Sequence, residues 1–265
     1  MGRVLFITSF KGGVGKTTLS ANLSAVLARM GYRVLAVDGD MGMRCMDMAL
    51  GEENGAVYNV ADVLEGKCTA ERAIVQSGTV DGLFFLASPA NRPEVIPERE
   101  KFLKLFALLR EGYDYVIIDS SAEETPYYLS FAACADDAIV VCTHQSISVR
   151  AAEKTGLKLQ TLGFRSVRMV VNCYRDDLSE AGLLMSVAKI IDGCAIRLLG
   201  VIPRDDSAVI DQENGVTAFG TRGKTASPYE AAIYNIACRV TGDNVPLLYR
   251  VLKPTKRKRY SRVKR

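Results

Sequence analysis

No stretch of this 265-residue chain stays apolar for the roughly 18 residues that a bilayer-spanning helix needs. The first residues, MGRVLFITSFKGG, lack the profile of a secretory signal, because their short apolar run opens straight into a glycine loop. A myristoylation signal is missing as well, since its Ser or Thr position holds Phe6. None of the seven cysteines (Cys45, Cys68, Cys134, Cys142, Cys173, Cys194 and Cys238) stands in a C-x-x-C pair. Several lie in apolar runs, so they read as small buried hydrophobes in a reducing compartment rather than metal ligands. Acids are absent from residues 253–265, which hold four lysines and four arginines. Removing those eight charges from the net +4 leaves the body at −4, so a mildly acidic body carries a separate basic tail.

What is present fits a soluble globular protein: 48% of residues are hydrophobic and 24% charged. Length allows one large α/β domain or two small ones. Short apolar, β-branched runs at 4–8, 34–37, 83–87, 115–119, 138–142, 168–172 and 197–201 read as strands buried on both faces. Helical patterns lie between them, near 17–30, 98–111, 126–135, 147–162, 179–191 and 228–241. This alternation predicts an α/β fold: a doubly wound, mainly parallel sheet of about seven or eight strands with helices on both faces. No linker or repeat precedes residue 242, which gives one domain over 1–242 and a tail over 243–265. Ligands in such a sheet bind at the carboxyl ends of the strands. Those ends are 9–18, 38–47, 119–125 and 172–176.

The run FITSFKGGVGKTTLSANL has the strand, glycine loop and helix that a phosphate loop requires. Gly12, Gly13, Val14 and Gly15 form the loop, whose glycines let backbone N–H groups curl around phosphate oxygens. The following helix turns its positive end toward the same anion. Lys16 is placed for the outer phosphates, Thr17 for the Mg²⁺ shell and Thr18 for the inner phosphate. The strict pattern wants glycine at position 10, which holds Phe10, and an additional lysine, Lys11, follows it. The apolar strand YVIID ends in Asp119, placed to hold Mg²⁺ directly or through water.

The stretch KGGVGKTT resembles the deviant phosphate loop of the MinD/ParA family of ATPases, and the chain is most similar to the septum-site-determining MinD type. The resemblance covers roughly residues 2 to 240. It implies that Lys11 reaches across a dimer to the partner's nucleotide, spreading positive charge over the developing phosphate charge. A solvated loop lysine is the plainer alternative. The stretch 37-VDGDMGMRCMD-47 is similar to the family's D-x-D-x-G-x-x-x-x-D. By that likeness Asp38 orients the loop or a metal-bound water, and Asp40 positions the attacking water; otherwise both are turn formers beside glycine. Asn172 matches an Asn that faces the purine, and 202-IPRDD-206 resembles the loop over the base, near Pro203 and Arg204. The resemblance implies ATP over GTP, and no N-K-x-D-like guanine motif stands at the expected place. The family's switch loop commonly reads D-[ST]-P-A-G after the metal Asp. Here it is 119-DSSAEE-124, with Ser121 for proline and Glu123 for glycine, which implies slow hydrolysis or a different switch geometry.

What the resemblance implies is an ATP- and Mg²⁺-dependent ATPase that is a homodimer when ATP-bound. It would be cytoplasmic, peripheral on the inner face of the cell membrane, and would position division or other polar machinery. An activating protein partner is implied too, with 145-QSISVRAAEK-154 resembling the helix that receives it. The tail is open to three readings: a solubilising extension, a polybasic contact with an anionic membrane helped by the apolar 245-VPLLYRVL-252, or a nucleic-acid contact. The single aromatic of the basic block, Tyr260, gives base stacking little support. The alternatives are a ParA-like DNA-partition ATPase, a flagellar-number regulator, a cluster carrier using Cys134, and a non-hydrolysing ATP-bound scaffold.

Overall fold

β1 (Arg3–Thr8) is a run of branched and aromatic side chains with little exposure on either side. In the computed structural model it lies inside an eight-stranded sheet; the structure describes residues 1–53, 55–218 and 227–247. The other strands are β2 (Val34–Gly39), β3 (Val75–Gln76), β4 (Leu83–Leu86), β5 (Tyr115–Ser120), β6 (Asp137–Cys142), β7 (Ser166–Tyr174) and β8 (Arg197–Pro203). Their order is β3-β4-β2-β5-β1-β6-β7-β8, parallel throughout except for the short β3 against β4. β3 escaped the sequence pattern because two residues are too few to show a period.

The helices are α1 (Lys16–Arg29), α2 (Met46–Leu50), α3 (Val60–Leu64), α4 (Ala70–Ala73), α5 (Arg99–Gly112), α6 (Pro126–Ala132), α7 (Ser146–Thr161), α8 (Asp176–Glu180), α9 (Val187–Cys194), α10 (Asp206–Glu213) and α11 (Pro228–Thr241). The single helix expected over 179–191 is two, α8 and α9. Gly182, at φ 70°, breaks the pattern between them, a conformation that glycine adopts without steric cost. α11 begins where Ser227 caps it and Glu230 returns the bond, with Pro228 in the first turn.

Side chains alternate across the sheet, so each strand feeds two cores. Phe6, Val37, Ile118 and Val140 pack with Phe102 and Phe106 of α5 and with Tyr128 and Phe131 of α6 on one side. Leu5, Ile7, Ile117 and Ile139 pack with α1 and α11 on the other. α1 is buried by several neighbours, so its apolar side chains show no single stripe. α5 is amphipathic, burying Phe102, Leu105, Phe106 and Leu109 at helical spacing. From β1 the chain crosses to β2 on the far side of β5, whereas β5 leads to β6 on the other flank of β1. That reversal opens a crevice at the carboxyl ends of β1, β5 and β2, which is where ligands bind in such sheets.

Of the predicted tail, residues up to 247 are described. The Val245 carbonyl accepts from Nε and Nη2 of Arg239, and the Pro246 carbonyl accepts from Asn235, so the start of the tail lies against α11. The basic block at 253–265 lies outside the described residues. No helix among the described residues is long and apolar enough to cross a membrane.

Candidate nucleotide site

The phosphate loop leaves β1 at Ser9 and enters α1 at Gly15. Gly13 (φ 71°) and Gly15 (φ 90°) are left-handed, so L side chains there would strain the turn. Gly15 is also crowded: a Cβ on it would fall 2.2 Å from Nδ2 of Asn172. A Cβ on Gly12 or Gly13, in contrast, would meet nothing within 4 Å. The loop's outer rim thus opens onto free space, where an anion can approach its backbone N–H groups.

Behind the loop the sheet register sets two carboxylates side by side. Asp38 of β2 is the register partner of Asp119 of β5, and both are buried. Asp119 accepts from the Thr17 hydroxyl at 2.5 Å and from Ser20 at 2.9 Å. Burial first, and then the charge of Asp38, push its carboxyl up to about 7. Asp38 accepts from the backbone N–H groups of Asp40, Cys45 and Met46 at 3.0 to 3.1 Å, which folds the segment after β2 around it. Burial lifts its carboxyl to about 6 against those bonds. Lys16 is buried beside them: desolvation lowers its ammonium, and Asp119 and Asp40 hold it up. Asp40 is half-buried and raised by desolvation, with Lys16 and Arg92 opposing the shift and Glu123 adding to it.

The donor set suits a hard divalent cation and a polyphosphate. A threonine hydroxyl and two carboxylates converge beside Lys16 and an open glycine rim, and oxygen ligands are what Mg²⁺ takes. Two buried carboxylates in contact range are costly alone, and a cation between phosphates and carboxylates relieves that cost.

Asn172 is buried at the end of β7. Its Nδ2 donates to the Val14 carbonyl at 2.8 Å, and its Oδ1 accepts from the Cys173 N–H. The amide therefore braces the phosphate loop, a role the sequence did not suggest. Pro203 is the register partner of Tyr174, and the Arg204 N–H donates to the Tyr174 carbonyl. Asn172, Pro203 and Arg204 thus lie together at the carboxyl ends of β7 and β8, with the Arg204 guanidinium bound to Asp206. Thr18 sits in the first turn of α1, where its carbonyl accepts from Asn22.

Phe10 has a physical account. Its ring packs 5.5 Å from that of Tyr128 on α6, and its N–H donates to Thr155 Oγ1 on α7 at 3.1 Å. A glycine would supply the bond but not the ring. Lys11 folds along its own loop, with Nζ donating to the Gly12 carbonyl at 3.3 Å. In the segment after Asp119, Ser121 donates to the Glu123 carbonyl at 2.8 Å, Glu123 faces Arg92 at 3.8 Å, and Glu124 pairs with Lys158 of α7 at 2.5 Å.

Sequence reasoning missed Ser20, Ser88 and Arg92. Ser20 was within reach, four residues after Lys16 on the same helix face. Ser88 donates to the Asp40 carbonyl, and Arg92 to the Met41 carbonyl; only the sheet order brings that loop over β2. Cys134 is buried and donates to the Ser130 carbonyl, so it presents no thiol for a cluster shared between two copies.

Known proteins share this sequence and fold. The CobQ/CobB/MinD/ParA nucleotide-binding domain matches residues 5–218. The septum site-determining protein MinD of Bacillus subtilis (strain 168) is 38% identical over 252 residues, which cover 93% of this chain and 92% of that protein. The MinD chain of the Aquifex aeolicus MinC:MinD cell division complex is 32% identical at a TM-score of 0.85, covering 98% of this chain and 100% of that one. The Pyrococcus horikoshii MinD solved with Mg-ADP is 27% identical at a TM-score of 0.81, covering 91% and 97%. With the family's domain across most of its length and relatives at this identity, the chain belongs to the MinD/ParA family of P-loop nucleotide-binding proteins and, within it, to the MinD type.

Proposed function

We propose that this protein is an ATP-hydrolysing switch of division-site placement that dimerises around ATP and binds the inner face of the cell membrane. One observation carries the reading: Asp38 and Asp119 stand in register behind a glycine loop, with Thr17 donating to Asp119. In the proposed organisation, residues 1–242 are the ATPase domain and 243–265 a basic tail.

The roles follow from the chemistry. Gly12, Gly13, Val14 and Gly15 offer backbone N–H groups to the phosphates, and Lys16 and the start of α1 add positive charge. Thr17 and Asp119, with Asp38 through water, would hold Mg²⁺, which when bound neutralises charge on the outer phosphate oxygens. Asp40 orients the water whose oxygen attacks the γ-phosphorus as the bond to the β–γ bridging oxygen breaks. Lys11 of a second copy offsets charge on the departing oxygen, which makes turnover conditional on the dimer. Thr18 contacts the inner phosphate, and Asn172, Pro203 and Arg204 flank adenine. The Aquifex aeolicus complex with MinC supports a protein partner; an activating one would find on α7 the exposed Ile147 and Arg150.

The test combines light scattering with co-sedimentation on phosphatidylglycerol vesicles, in ADP and in a non-cleavable ATP analogue. Dimers and vesicle binding are expected with the analogue only, and Lys11→Ala should abolish turnover while ADP affinity is kept. A chain that stays monomeric with the analogue at high concentration overturns the reading. Retention on duplex DNA but not on vesicles would move the protein to a partition role.

A further inference from the structure

The sheet edge opposite the nucleotide pocket gathers arginines that the roles above leave unused. Arg3 opens β1, Arg168 and Arg197 stand near the starts of β7 and β8, and Arg239 lies in the last turn of α11. Strand register fixes their common direction. Leu5 pairs with Asp137, Ile139 with Arg168, and Arg168 with Arg197. Residues in register across parallel strands, and residues two apart along one strand, share a face. Arg3, Asp137, Arg168 and Arg197 therefore all project to the face that α11 covers, at its amino-terminal margin.

The cluster is short of anions. Arg168 and Arg197 are like charges side by side, an arrangement that costs stability. Of the charged groups among the described residues that reach Arg168, Arg3, Arg197 and Arg239 are cationic and Asp137 alone is anionic. That carboxylate is already engaged by Arg3 at 2.5 Å. Nη1 of Arg168 donates to the Arg239 carbonyl at 3.1 Å, but its buried Nε and Nη2 have no partner among the described residues. Buried donors left unpaired are expensive, and more so when charged.

The chain's exit says what covers them. Arg239 holds the Val245 carbonyl, and residues 253–265 that follow add four lysines and four arginines with no acid. The root of the tail, 245-VPLLYRVL-252, is apolar, which suits acyl chains rather than a duplex. Arg197, the exposed member, offers the cluster's charge to a small anionic headgroup, with Arg168 beside it in register. We propose that Arg168, Arg197 and Arg239 form a phosphate-headgroup site for anionic lipid on the folded body, acting beside the tail. This rests on the membrane reading above and adds a second contact to it.

The test uses the full chain with ATP on vesicles of phosphatidylglycerol in phosphatidylcholine. Arg168→Met and Arg197→Ala should each weaken binding about fivefold, the factor that roughly 1 kcal/mol per basic residue converts to. The double variant should lose about 25-fold on the same basis. Turnover without vesicles should stay at the parent value, and Arg168→Met should not lower Tm, because it relieves a like-charge contact. The exposed Arg197→Glu, expected to weaken binding further than Arg197→Ala, decides the matter if Arg168→Met does not fold. Vesicle binding by the double variant and by Arg197→Glu at the parent's strength overturns the body site and leaves the membrane reading standing. A parent that ignores these vesicles in ATP removes the membrane reading and this site with it. Substitutions that weaken duplex-DNA binding but not vesicle binding overturn the lipid assignment.

Discussion

Replacing Asp119 by asparagine removes one of two buried carboxylates that stand in register on β5 and β2, and it should stabilise the ligand-free protein. Burial and the charge of Asp38 raise Asp119 from 3.8 to about 7. A raised carboxyl means that the native chain holds the proton more tightly than the unfolded chain does. The resulting penalty is absent below about pH 4, grows as pH rises, and is complete above about pH 7. At pH 8 it amounts to about 4 kcal/mol, from roughly 1.4 kcal/mol per pKa unit. Asparagine recovers only part of this, because its amide is also buried and the Thr17 and Ser20 hydroxyls must reorient around an NH₂ group. A net gain of about 1–3 kcal/mol at pH 8 is therefore expected, turning into a net loss of about 1–3 kcal/mol near pH 4, where the penalty is gone and the cost of the buried amide remains. Urea denaturation at several pH values, without nucleotide or Mg²⁺, measures it. In Mg-ADP the order should reverse, because the parent gains the linkage stabilisation of the bound metal. A variant less stable than the parent at pH 8, or a difference that does not vary with pH, would refute the carboxylate-pair account.

The glycines separate fold from ligand. Gly12→Ala should leave Tm within about 1 °C of the parent, since the added Cβ meets nothing within 4 Å, yet weaken nucleotide binding by crowding the phosphate. Gly15→Ala should cost about 2 kcal/mol or more in thermal unfolding, from its φ of 90° and the collision with Asn172. Phe10→Gly, which restores the common loop pattern, should destabilise by about 2 kcal/mol through loss of the half-buried ring against Tyr128. Glu123→Gly should raise the rate of phosphate release, by removing an acid that Asp40 feels and freeing the backbone; an unchanged rate would show that the substituted loop is no brake.

The fold was legible because parallel strands covered on both faces read as unbroken apolar runs, and because the loop's glycines mark a turn that little else permits. Asp38, Asp119 and Thr17 could be named separately from their strand and helix ends. Their convergence could not, since it depends on β2 pairing with β5, and pairing across a sheet has no local signature. The same holds for Arg92 and Ser88, which arrive on a loop after β4 with no motif. Short elements such as β3 and α2 to α4 were invisible for want of length. Asn172 shows a different limit. Its place at the end of β7 was clear, but its bond to the Val14 carbonyl follows from how close β7 brings it to a glycine without a side chain.

The positions that depart from the family's loops share a physical logic. Phe10 and Glu123 are anchored by side chains, and so is Glu124 beside them, to Tyr128, Arg92 and Lys158 respectively. The Phe10 N–H and the Glu124 carboxylate both tie to α7, so the phosphate loop and the segment after Asp119 are attached to one helix from two sides. Freedom that glycine and proline would set by backbone preference is set here by contacts. The ion pairs lie near solvent and are worth at most about 1 kcal/mol each. A nucleotide that binds one loop position about tenfold more tightly than the other supplies about 1.4 kcal/mol, enough to outweigh either pair. Such contacts bias the loop without locking it. Because the Glu124 pair ends on α7, a displacement of that helix would act on the same small balance of energies that decides where Glu123 lies relative to Asp40.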